Sequence, residues 1–174
     1  MKHLTLILLL FMTCSWVQAP EDDRGYLVKV GDKAPDIELI FPDGTKKQLK
    51  DLKGKVIMLQ FTASWCGVCR KEMPFIEKDI WLKHKDNPDF VLYGIDLKEP
   101  KYVVEKFAKE TGITYPLLLD PEGKAFYSFA AQGAGVTRNI IIDKEGKIVF
   151  LTRLYEPKEF EELTKVIDNL LKKK

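Results

Sequence analysis

The chain has 174 residues, 45% of them apolar and 31% charged, with 28 Lys and Arg against 26 Asp and Glu. This is the profile of a soluble globular domain, and it excludes a membrane bundle and a disordered tail. A formal charge of +2 with the signs interspersed leaves no basic stripe to follow a phosphate backbone, so no nucleic-acid partner is expected.

In chain order, Lys2 and His3 precede an apolar run over residues 4–12, and Val17 and Ala19 place small residues at −3 and −1 of a cleavage point before Pro20. The run is about half the ~20 residues that span a bilayer, which predicts a secretory signal over residues 1–19 rather than an anchor. A single exported, periplasmic domain over residues 20–174 is the expectation. Cys14 lies inside that signal and leaves with it; the alternative is that Cys14 is lipidated and tethers the chain.

Residues 36–40, a Pro42-Asp43-Gly44-Thr45 turn and residues 46–49 predict a hairpin. Residues 56–61 are nearly continuously apolar, the pattern of a central strand covered on both faces. A helical pattern then runs from Cys66 to about residue 87, with Pro74 inside it predicting a kink. A second buried strand over residues 90–96 and a helix over 101–110, ended by Gly112, follow. Residues 123–132 are poorly patterned. Residues 139–142 and 148–151 predict a second hairpin across the turn at 143–147. The closing helix starts near Pro157 and carries Leu163, Val166, Ile167, Leu170 and Leu171 on one face.

Once the signal is removed, Cys66 and Cys69 are the remaining cysteines, too close in sequence to staple a fold. Zinc would need about four ligands, and beyond these two thiols the mature chain offers only His84. A c-type haem would want His where Arg70 stands. No metal and no cofactor are expected.

The pair sits where a strand stops and a helix begins. A helix N-terminus carries unpaired N–H groups and about half a positive charge, which lower a thiol pKa below ~8.5, so Cys66 is read as the nucleophile. Cys69 lies one turn on and is placed to resolve a mixed disulfide at Cys66. Trp65 is read as an exposed platform for substrate contact and Trp81 as core.

Residues 61–74, FTASWCGVCRKEMP, resemble the active-site signature of exported thioredoxin-like proteins of the TlpA/ResA type, within the alkyl hydroperoxide reductase and thiol-specific antioxidant superfamily. Residues 31–36, 52–56, 107–120 and 140–149 extend the resemblance to most of the chain. It implies an α/β, thioredoxin-like fold: a central mixed β-sheet flanked by α-helices, with an extra N-terminal β-hairpin. It further implies a thiol-disulfide oxidoreductase, acting as a reductase on protein disulfide substrates, fed by a membrane-bound thiol-disulfide electron donor, with a monomer as the default state. Gly67 and Val68 between the thiols, and the Val136-Thr137-Arg138 loop opposite, are the substrate-binding candidates beside Trp65.

The sequence departs from that pattern in three places. Thr137 stands where thioredoxins carry a cis-proline, and because a non-proline cis bond costs about 2.5–4 kcal/mol, a trans Val136–Thr137 peptide is expected. Arg138 beside it opens an alternative, a peroxiredoxin-like thiol peroxidase in which Arg138 stabilises the Cys66 thiolate. Gln60 replaces the buried Asp of thioredoxin and cannot titrate, so Glu99 becomes the candidate general base for Cys69. A third reading is a disulfide-binding module with negligible turnover.

Overall fold

The computed structural model describes residues 24–172. The signal segment and Cys14 lie outside the described residues. Among the described residues no helix is long and apolar enough to cross a membrane.

The first hairpin is short: β1 (Glu38–Ile40) pairs antiparallel with β2 (Lys46–Gln48). The Asp43 carboxylate accepts from the Thr45 N–H at 2.8 Å across the turn, and Gly44 takes the positive φ of 88° that L side chains avoid. β3 (Val56–Thr62) is buried along its whole length, as its unbroken apolar run predicts. It lies between β4 (Phe90–Leu97), parallel to it, and β6 (Arg138–Ile142), antiparallel. With β5 (Leu117–Asp120) and β7 (Ile148–Arg153) these form one seven-stranded mixed sheet in the order β2-β1-β5-β4-β3-β6-β7.

Alternation along β3 gives the sheet two different faces. Phe61 packs against Phe126 and Phe129 of α4 (Lys124–Phe129), with ring centroids 5.5 and 5.7 Å apart. Gln60 and Thr62 point the other way, toward α1 (Gly67–Ile76), where the Thr62 hydroxyl meets the Met73 sulfur at 3.6 Å. The two parallel crossovers, α1 and α3 (Lys101–Thr111), adjoin each other: the Arg70 guanidinium stands 4.8 Å from the Phe107 ring centre and 3.0 Å from Glu110. The closing helix α5 (Pro157–Lys172) lies beside them, burying Phe160, Leu163 and Ile167.

Pro74 removes a donor from the interior of α1, and the helix does not continue regularly past it. Its ladder widens into a π-helical stretch, Glu77–Trp81, before one last turn, α2 (Leu82–His84). Trp81 is half-buried rather than core, and its indole N–H reaches the Thr114 hydroxyl at 2.9 Å. Gly112 ends α3 in the left-handed conformation, as its placement predicts. The poorly patterned stretch contains α4, whose Ala125, Phe126 and Phe129 are buried. Six residues are too few to display a helical period.

Candidate functional site

The C-terminal end of β3 delivers the chain to the N-terminus of α1, and Cys66 is the residue between them. It takes an extended conformation as the helix N-cap, and its sulfur accepts the Cys69 backbone N–H at 3.2 Å. A sulfur therefore occupies the place where a capping oxygen would satisfy a free helix donor, which is also where a thiolate gains most from the helix dipole. Cys66 and Cys69 are joined as a disulfide, their Cα atoms 5.3 Å apart. Cys66 keeps 7% of its surface at the rim and Cys69 keeps none, so an incoming partner meets Cys66 first.

The turn before Cys66 is held from both sides through Ser64. Glu99 accepts from the Ser64 backbone N–H at 2.5 Å and from the Ser64 hydroxyl at 2.6 Å. Arg70 donates to the Ser64 carbonyl at 2.8 Å. Glu99 thus reaches the motif, but among the described residues its carboxylate bonds to Ser64 and to neither sulfur. The geometry makes it a brace for the loop that carries the nucleophile.

Opposite the sulfurs stands Thr137. The Val136–Thr137 peptide is trans, since the described residues hold no cis bond. The Thr137 hydroxyl lies 3.1 Å from the Cys66 sulfur and 3.3 Å from the Cys69 sulfur. Val136 is buried, Gly67 exposed and Val68 half-buried at the rim. Trp65 is 67% exposed beside Cys66. Leu154, whose N–H bonds the Thr137 carbonyl at 3.2 Å, adds a second exposed apolar side chain, 46% accessible.

Arg138, a substrate-binding candidate and the cation of the peroxidase alternative, lies inside the protein rather than at the rim. Alternation along β6 sends Arg138 to the face away from Thr137, where it is fully buried. Its guanidinium donates to the backbone carbonyls of Gly135 at 3.0 Å and Arg24 at 2.7 Å, and packs 4.2 Å from the Tyr26 ring centre. Arg138 therefore ties the segment before β1 to the sheet.

Two buried carboxyls that the sequence reading did not single out lie behind the motif. Glu72 shares the buried face of α1 with Cys69, Met73 and Ile76. Spacing of one turn puts its Cβ about 5–6 Å from that of Cys69. Its Oε1 accepts from the Asn139 amide at 2.6 Å, and Asn139 also donates to the Thr152 hydroxyl at 2.9 Å. Burial pushes the Glu72 pKa from 4.5 up to about 7, against the hydrogen bond from Asn139 that holds it down. Gln60, in register with Asn139, accepts at its carbonyl oxygen from the Tyr115 hydroxyl at 2.6 Å. Gly94 makes room for that approach: a Cβ there would stand 3.3 Å from the Tyr115 ring and closer still to Leu117.

Asp96, at the end of β4 and in register with Thr62, is the second. It is fully buried, and burial first, then the neighbouring Glu99 charge, raises its pKa from 3.8 to about 8. Among the described residues no group of three or more His, Cys, Asp or Glu side chains could hold a metal ion. The arrangement is that of a redox dithiol with a buried carboxyl, Glu72, one helical turn from the sealed sulfur.

The profile of the family described as Redoxin matches residues 29–167. The chain is 30% identical over 129 residues to the thiol-disulfide oxidoreductase ResA of Geobacillus thermodenitrificans, covering 74% of this chain and 73% of that one. Among solved structures it superposes on a putative protein disulfide isomerase from Bacteroides thetaiotaomicron with a TM-score of 0.83, at 60% identity over 86% of this chain and 94% of the other. A putative thiol:disulfide interchange protein DsbE from Chlorobium tepidum gives a TM-score of 0.70 at 29% identity, covering 83% and 99%. These neighbours carry the thioredoxin-like fold.

Proposed function

This chain belongs to the Redoxin family, and on that premise we propose that it is an exported thiol-disulfide oxidoreductase that works as a disulfide reductase on protein substrates. The observation that carries the proposal is the Cys66–Cys69 pair itself, linked, with one sulfur at the rim on a helix N-cap and the other sealed behind it. The Cys66 thiolate attacks a partner disulfide, forming a mixed disulfide and releasing one partner thiolate, which takes up a proton. Cys69 then loses its proton and attacks the Cys66 sulfur, closing the Cys66–Cys69 bond and releasing the second partner thiol. Two electrons pass to the partner, and a thiol donor must return them; a membrane-bound dithiol protein is the donor we assign.

Polypeptide substrates fit a rim of exposed Trp65 and Leu154 around a nearly covered sulfur. The reductase direction follows the resemblance to TlpA/ResA-type proteins, which receive electrons from a membrane donor and pass them to exported substrates; strong oxidants owe their potential to a stabilised reduced form. Export rests on residues 1–19, with residues 20–174 as one domain and Cys14 discarded. The peroxidase alternative loses its cation with Arg138 turned to the opposite face.

The test is reduction of insulin by dithiothreitol with and without the protein. Wild type accelerates it and Cys66→Ala does not; equal rates would leave a binding module without turnover. The Cys66–Cys69 potential, measured against glutathione, decides direction: a value above the glutathione couple would reverse the assignment to oxidase.

A further inference from the structure

The loop opposite the dithiol places one hydroxyl between two sulfurs, and the substrate-binding part assigned to Thr137 does not use it. We propose that the Thr137 side chain is a catalytic group of the exchange reaction, its hydroxyl donating to the Cys66 thiolate and accepting from the Cys69 thiol. The inference rests on the oxidoreductase reading above.

Its Oγ1 is 3.1 Å from the Cys66 sulfur and 3.3 Å from that of Cys69, within hydrogen-bond range of sulfur for both. The residue is 3% exposed, so water does not compete for the position. The side chain is fixed from its backbone: Thr137 precedes the first residue of β6, and its carbonyl accepts from the Leu154 N–H at 3.2 Å. A hydroxyl carries one donor and two acceptor lone pairs, so it serves both sulfurs at once when Cys66 is ionised and Cys69 is not. A proline in this position has no hydrogen to offer, so the donor is a property of Thr137 in this chain.

The chemistry follows from charge. A disulfide sulfur is a weak acceptor and a thiolate a strong one, so the O–H bond strengthens when the pair is reduced. Thr137 therefore stabilises the reduced protein more than the oxidised one, lowering the Cys66 pKa and raising the reduction potential. In the mixed disulfide the Cys66 sulfur is neutral again. The hydroxyl is then released to accept the proton that Cys69 gives up, and passes its own to the departing partner sulfur. Cys69–S–H and the Cys66–S–S bond become the Cys66–Cys69 disulfide and a partner S–H, with no proton or electron left over.

The experiment compares wild type with Thr137→Val, which keeps the shape and loses the hydroxyl, and Thr137→Ser, which keeps the hydroxyl. Thr137→Ala stands in for the valine variant if that one fails to fold by circular dichroism. The rate of iodoacetamide reaction at Cys66 is followed against pH, and the dithiol is equilibrated with glutathione. Loss of the hydroxyl is expected to move the alkylation midpoint up by about one pH unit and the glutathione equilibrium by about tenfold toward the disulfide, equivalent to about 30 mV. The serine variant restores both. A change below about threefold, or one that serine does not recover, overturns the proposal. Wild type that never accelerates insulin reduction would instead strike the exchange reading, and the alkylation profile would still report on Thr137.

Discussion

Replacing Glu72 with Gln tests whether the carboxyl behind the motif is held protonated by burial. The native pKa lies at about 7 against 4.5 for the free group. Between those values the folded protein keeps a proton that the unfolded chain releases. This group's full stabilisation is therefore present below pH 4.5 and is lost as pH rises through 7. At 1.36 kcal/mol per pH unit, the separation corresponds to about 3 kcal/mol. Gln keeps the shape and an acceptor for the Asn139 amide but has nothing to ionise. Urea unfolding of the oxidised protein, followed by circular dichroism from about pH 4 to about pH 8, gives both stabilities under the same conditions. The difference between variant and wild type should move in favour of Gln by about 3 kcal/mol across that window. Any fixed effect of the substitution cancels in this comparison. Parallel curves, with the same gap at both ends, would mean that Glu72 titrates alike in the native and unfolded protein, and the buried-acid argument would be wrong.

Other substitutions separate roles that the geometry distinguishes. Asp96→Asn removes a carboxyl whose pKa is raised to about 8, so between about pH 4 and pH 8 wild type loses more stability than the variant; thermal melts at both ends of that range measure the difference. Glu99→Ala breaks two charge-assisted bonds to Ser64 and is expected to destabilise by about 2 kcal/mol in urea and to slow insulin reduction, with the midpoint of the pH–rate profile unmoved. A shifted midpoint would return Glu99 to the role of general base. Arg138→Ala should cost about 3 kcal/mol or more by emptying the space of a fully buried side chain and cutting its contacts to Arg24 and Tyr26, while the Cys66 alkylation profile stays in place. Peroxide turnover that depended on Arg138 would contradict its assignment as a structural residue.

The strongest elements were legible because their patterns are long or their chemistry is compact. The unbroken apolar run of β3, the eight-residue span from Leu163 to Leu170 within α5, and a pair of cysteines at a strand-to-helix junction each predict one arrangement. β5 and α4 were not, since four and six residues show no period of their own and owe their conformation to the sheet they pack on. The burial of Arg138 is not legible from its neighbours in sequence. The alternation that brings Thr137 and Asn139 to the dithiol face necessarily removes Arg138 from it, but its partners, Arg24 and Tyr26, lie more than a hundred residues away and carry no local signal. Glu72 was hidden by its neighbours, because a Glu following Arg70 and Lys71 reads as solvent-facing. Its spacing from Cys69, and its place beside Met73, mark the buried face when the helix is drawn as a wheel. Asp96 closes an apolar strand where a turn residue is expected, and only the third dimension puts it beneath the active-site loop.

The most direct measurement is a redox titration of the purified protein in glutathione buffers, each sample quenched by alkylation and mapped by mass. The dithiol mechanism predicts one two-electron transition in which Cys66 and Cys69 become alkylated together, and which disappears in Cys66→Ala and Cys69→Ala. Cysteines that stay linked, or stay free, across every buffer would contradict it.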